Sequence, residues 1–214
     1  MVLDLLVIGT AITLGPLHNS AFILLLSSQR GVHKGLAFLL SWLANLVAVI
    51  ACVMLLTGGS PPPHHTAPST AATAAKLGFG VGLVLFGAWK RRRPPRPKHP
   101  PSWTGRVDGL SLVTSAGLAW LFQPWALVGA GAATVVDADL SSTDDWLWLT
   151  GYCLLATLSL IVMEMYTVWA PTAAGARLTA LRTWLEGHQD QLIVTLALLA
   201  GLWLTARSIY QLVA

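Results

Sequence analysis

The chain has 214 residues, 55% of them hydrophobic and only 10% charged, with a mean hydropathy of +0.65. An ordinary soluble domain carries about 25% charged residues, so composition excludes such a domain and points to an all-α, polytopic membrane protein. The net charge of +4 would suit a nucleic-acid partner, but the basic residues lie between apolar runs, where membrane topology accounts for them and no nucleic-acid partner is expected.

A spanning helix needs roughly 20 apolar residues, and six candidate spans follow in chain order, at about 3–26, 36–57, 71–89, 109–136, 146–169 and 190–213. The first is preceded only by Met-Val-Leu-Asp, without a basic region or a small-residue cleavage site, and is expected to remain as a span. It contains "LGPLHNSAFILLLSSQRG", which sets Pro16, His18 and Asn19 inside the apolar run, and Asp4 stands near its outer end. In the second, Ser41 and Asn45 are four residues apart and share a helix face. Cys52 here and Cys153 in the fifth span lack metal-like spacing and support no disulfide framework.

"TGGSPPPHHTAPST" leads to the third span, and its His64-His65 pair without a fixed third ligand is a weak metal signal. The third span relies on the preceding "TAATAAK" for length and ends at Trp89 and Lys90; its Gly78 and Gly82 form a small-xxx-small pair that suits close helix packing or a homodimer face. A Pro-rich basic linker over 90–108, able to lie against anionic lipid headgroups, then divides the chain almost in half. The domains read as a first three-helix half (1–89), this linker, and a second three-helix half (109–214).

In the fourth span Gln123-Pro124 interrupts the apolar run. After the acidic "DADLSSTDD" loop, the fifth span carries Glu164, an acid well inside an apolar segment that must be protonated, hydrated or paired; His18 is one candidate partner. Residues 175–188 place Leu178, Leu181, Trp184 and Leu185 at helical spacing, the pattern of a short helix lying in the membrane interface. Arg207, near the outer end of the last span, is placed to form a structural ion pair with Asp4. Trp42, Trp146, Trp148, Trp169 and Trp203 lie towards span ends and read as interfacial anchors.

Eleven of the 13 basic residues fall on the connections after spans one, three and five, so these face the cytoplasm and both termini lie outside it. Three spans on either side of the linker then have opposite orientations, and any likeness between them makes a 3+3 inverted repeat. Pro16 and Pro124 each stand about 14 residues into the first helix of their half. Paired breaks of this kind point to a central transport site, for which the candidate residues are Pro16, His18, Asn19, Asn45, Gln123, Pro124 and Glu164. No nucleophile elbow, phosphate-binding loop, zinc spacing or carboxylate pair is present, so no catalytic residue, metal or cofactor is assigned and the chain is not expected to be an enzyme.

The stretches "LGPLHNSAFILLLSSQRGVHKGLAFLLSWLANLV", "KLGFGVGLVLFGAWKRRR", "LAWLFQPWALVGAGAATV" and "LTALRTWLEGHQDQLIVTLALLAGLWL" together resemble the GAP family of actinobacterial glycolipid, peptidoglycolipid and sulfolipid addressing proteins, within the LysE transporter superfamily. The resemblance implies a six-helix, multi-pass inner-membrane protein that exports a glycolipid or other amphipathic metabolite, or assists that export, with membrane lipids and a larger lipid-export complex as its partners. Where the family often has Asn-Pro-Lys in the fourth span, this chain has Gln123-Pro124-Trp125, and Ser41-Trp42 replaces a usual Gly-Trp pair. Two other readings accompany this one: a proton-coupled exporter of amino acids or small solutes, and a non-transporting scaffold.

Overall fold

The computed structural model describes residues 2–56, 70–92, 104–136 and 143–213. Among the described residues there are no strands, and the helices are α1 (Val2–Thr13), α2 (Pro16–Leu26), α3 (Gly31–Leu56), α4 (Thr70–Arg92), α5 (Leu112–Phe122), α6 (Trp125–Val136), α7 (Thr143–Trp169) and α8 (Pro171–Val213), with a 3₁₀ turn at Thr104–Gly109 before α5. Three of these, α3, α7 and α8, are long and apolar enough to cross a membrane; counting α1+α2 and α5+α6 each as one bent span makes five. The pairs bend by 48° and 71°.

Both bends follow from proline chemistry. A proline supplies no N–H and clashes with the carbonyl four residues back, while its fixed φ suits the first turn of a new helix. Pro16 accordingly opens α2 behind Gly15, and Gln123 closes α5 just before Pro124.

Two arrangements of neighbours recur in the bundle. α3 packs on α5, as α7 packs on α1; α4 packs on α6, as α8 packs on α2. α3 also meets α7, and α4 runs along α8. The core contains Ile8, Ile12, Phe22, Phe38, Trp42, Leu160 and Leu204. Leu40, Leu121, Leu154 and Leu199 face outward, an apolar exterior unsuited to water and suited to lipid.

Several expectations change. Residues 175–188 are no separate helix but part of α8, whose 43 residues run without a break for about 65 Å. Its expected apolar face is divided, with Leu178 and Leu185 buried and Leu181 and Trp184 exposed. A Cβ on Gly78 or Gly82 would meet no neighbouring helix within 4 Å; the close α4–α8 crossing is made by Gly80 and Gly201 instead, where a Cβ on Gly201 would lie 2.8 Å from the Gly80 carbonyl oxygen. Trp42 is no interfacial anchor, because its ring is fully buried. The linker 90–108 begins as the last turn of α4 and ends in the 3₁₀ turn. His64, His65, residues 93–103 and most of the acidic loop lie outside the described residues.

Candidate functional site

The α1/α2 break is closed by its own neighbourhood. Pro16 deprives the Ile12 carbonyl of its helical donor, and the Gly15 N–H replaces it at 3.0 Å. Asn19 donates from Nδ2 to the Thr13 carbonyl at 2.8 Å and to the Gly15 carbonyl at 2.9 Å, while its Oδ1 accepts from the Ser159 hydroxyl on α7 at 2.8 Å. Thr13 in turn donates to the Leu155 carbonyl, also on α7. Asn19 is thus a tertiary cap for the break, with both ends of its amide in use.

The α5/α6 break is held differently. On α3, Ser41 donates to the Ala116 carbonyl at 2.9 Å, and Asn45 donates to Gln123 Oε1. Because Oε1 accepts that bond, the free end of the Gln123 amide is Nε2, which is buried without a partner. Pro124 removes the helical donor of the Trp120 carbonyl, and the Trp125 N–H turns to the Gln123 carbonyl at 2.9 Å, away from Leu121. Among the described residues no side chain replaces either donor. Trp120 and Trp125 flank the break with ring centroids 5.3 Å apart, and are 58% and 41% exposed.

His18, on α2, lies against Trp42 on α3 with ring centroids 4.6 Å apart, and Phe38 and Phe22 continue the aromatic column. His18 Nε2 and Trp42 Nε1 are both buried and have no hydrogen-bond partner. Trp42 precedes Asn45 by about one helical turn, so His18, Trp42, Asn45 and Gln123 form a connected group from α2 through α3 to the second break. Three N atoms in it lack partners, an uncommon and costly state for buried polar groups.

Glu164 stands apart from this group. It is buried against α3, where a Cβ on Gly35 would collide with its carboxyl group, and neither of its oxygens has a partner. It therefore makes no hydrogen bond to His18. Lys34, next to Gly35, is also buried, but its Nζ donates to the carbonyls of Val107 at 2.8 Å and Asp108 at 3.0 Å and to Ser28 Oγ at 3.2 Å. Asp108 also accepts from the Gln29 N–H at 2.8 Å. The 3₁₀ turn is clasped in this way to the α2–α3 corner.

Near the start of α1, Asp4 is buried, and its Oδ1 accepts from Trp203 Nε1 at 3.1 Å and lies 3.9 Å from Arg207 Nε. Trp203 thereby has a specific polar partner.

Asn19 therefore stands with Pro16 at the first break, Asn45, Gln123 and Pro124 meet at the second, and His18 lies against Trp42 of α3; Glu164 joins neither network. Sequence reasoning missed Trp42 and Ser159. Ser159 carries a signal available in retrospect: it is four residues after Leu155, as Asn45 is four after Ser41, and both pairs lie on a middle span. Trp42 carries none, because a tryptophan near a span end reads equally as an anchor. Residues 5–210 match the family model described as "Sap, sulfolipid-1-addressing protein". No curated protein matches the chain, and no solved structure does.

Proposed function

Because the chain belongs to the sulfolipid-1-addressing protein family, we propose that it moves an amphipathic lipid or related metabolite outward across the inner membrane, through a site between its two broken helices. The observation that carries this reading is that each break is gripped by the middle helix of the other half. α3 holds the second break at Gln123 through Asn45 and grips α5 about two turns earlier, at Ala116, through Ser41, and α7 holds the first through Leu155 and Ser159. The two proline positions are 108 residues apart, and the two pairs of gripping residues are each 114 apart.

That correspondence supports a 3+3 inverted repeat, in which α1+α2 answers α5+α6, α3 answers α7 and α4 answers α8. In such a repeat α4 also counts as a span, the third in chain order, and raises the total from five to six. The positive-inside distribution of basic residues supports termini outside the cytoplasm, and with three spans per half the repeats run in opposite directions. Broken helices at a repeat interface are a recurring way to present polar backbone to a cargo within the membrane.

A second reading draws on Glu164, whose buried carboxyl group without a partner suits coupling of export to a proton gradient. Purified full-length chain in liposomes separates these accounts. Outward movement of a fluorescent glycolipid is expected with the native chain. Movement of amino acids driven by a pH gradient and lost in Glu164→Gln would replace this reading with the proton-coupled exporter. No movement of either cargo by folded protein would identify a scaffold.

A further inference from the structure

We propose that the α5/α6 break, and not the α1/α2 break, binds the polar part of the cargo, and that this part is uncharged and hydroxyl-bearing and reaches the break from the bilayer side, beside Trp120 and Trp125. The inference rests on the reading that the chain handles an amphipathic cargo.

Irregular backbone is not tolerated against lipid hydrocarbon, because its polar groups find no partners there. The first break obeys this rule with Asn19. At the position 108 residues later stands Leu127, which has no polar group to offer. The second break therefore keeps two carbonyls, those of Trp120 and Leu121, without their helical donors. At the break itself Gln123 Nε2 is a buried N–H donor without an acceptor; Trp42 Nε1, about one helical turn before Asn45 on α3, is another, and the His18 ring lies against Trp42.

A ligand that satisfies this set must both donate and accept. Hydroxyl groups do both at a single atom. A sulfate, phosphate or carboxylate only accepts, so it leaves the two carbonyls unserved, and placing one in a low-dielectric interior without a paired cation carries a large desolvation penalty. Among the described residues, the ring contacts and hydrogen bonds of Trp42, His18, Gln123 and Asn45 are with one another and with Phe38, and none is with a lysine or arginine. The two exposed indole rings beside the break offer flat apolar surface for the carbon face of a sugar or polyol and an approach from the membrane.

The test uses the full chain in phosphatidylcholine nanodiscs with three probes: a diazirine-bearing alkyl glucoside, an alkyl sulfate with the same chain and diazirine, and free glucose as competitor. The glucoside is expected to label the segment from Trp120 to Leu127 several-fold more than the sulfate does, and free glucose is expected not to protect it. Trp42→Phe keeps an aromatic ring but loses the pyrrole part of the indole together with its donor. It should lower that labelling about three- to tenfold, the loss of one neutral hydrogen bond, with a modest fall in thermal stability from the volume lost at a fully buried site.

Equal labelling by the sulfate, labelling centred on Pro16–Asn19, or unchanged labelling in Trp42→Phe would each overturn the proposal. So would absence of specific labelling by either lipid probe, which would leave the break hydrated only. Protection by free glucose would assign the site to a soluble sugar and overturn the lipid part. Failure of transport with labelling intact would refute the proposed function and spare the site.

Discussion

The two breaks have the same cause and opposite outcomes. At the first, Pro16 opens a gap that Gly15 and Asn19 fill, and α7 closes over it through Leu155 and Ser159. At the second, Pro124 opens a gap that α3 holds through Asn45, yet the Trp120 and Leu121 carbonyls lack their helical donors and Gln123 Nε2 remains without a partner. The first break behaves as a completed joint and the second as an incomplete one. A proline thus determines that a membrane helix must break, and a neighbouring side chain determines whether the break is sealed.

The largest expected effect comes from making the first break resemble the second. Asn19→Leu removes the donor for two carbonyls and the acceptor for Ser159. With each unmet buried group costing about 1–3 kcal/mol, unfolding in mixed micelles should become easier by roughly 3 kcal/mol or more; a loss below about 1 kcal/mol would show that Asn19 does not seal the joint.

A matched pair of substitutions gives a smaller contrast. A Cβ on Gly15 would lie 2.5 Å from the His18 ring and 3.1 Å from the Ile12 carbonyl oxygen, so Gly15→Ala should destabilise the fold by about 1–3 kcal/mol through overpacking. Gln123 occupies the corresponding position of the second break. Gln123→Ala removes one bond to Asn45 together with a donor that has no partner, and should change stability by no more than about 1 kcal/mol. Thermal unfolding of both variants in one detergent tests this, and a reversed order would contradict the assignment of sealed and open breaks.

The smallest effect concerns the two middle helices. Ser41→Ala and Ser159→Ala each delete one side-chain hydrogen bond between helices, worth about 0.6 kcal/mol on average within membrane proteins. Similar small losses are expected from each in denaturant titrations. A loss of several kcal/mol from one and none from the other would show that the two helices do not play equivalent parts.

Much of this fold is legible in the residues. The apolar runs locate the helices because lipid requires every backbone group to be satisfied within the helix, and Pro16 and Pro124 locate the bends because they lack an N–H. Other features were not legible, for identifiable reasons. Leu178, Leu181, Trp184 and Leu185 make the same helical stripe on an interfacial helix as on one packed against neighbours, and nothing between Pro171 and Val213 interrupts α8. Trp42 near a span end resembles an anchor until Phe38 and His18 are found against it. Gly78 and Gly82 are as good a packing motif in sequence as Gly80, but only Gly80 faces α8.

Sequence alone determines that the chain is a helical membrane protein with apolar runs broken at Pro16 and Pro124, because hydropathy and proline act within a few residues of where they stand. Only tertiary structure decides which break is sealed. The hydrogen bonds that complete a broken helix come from residues such as Ser159 and Asn45, 140 and 78 positions away from Asn19 and Gln123 respectively, and no local property of the chain specifies that they will meet.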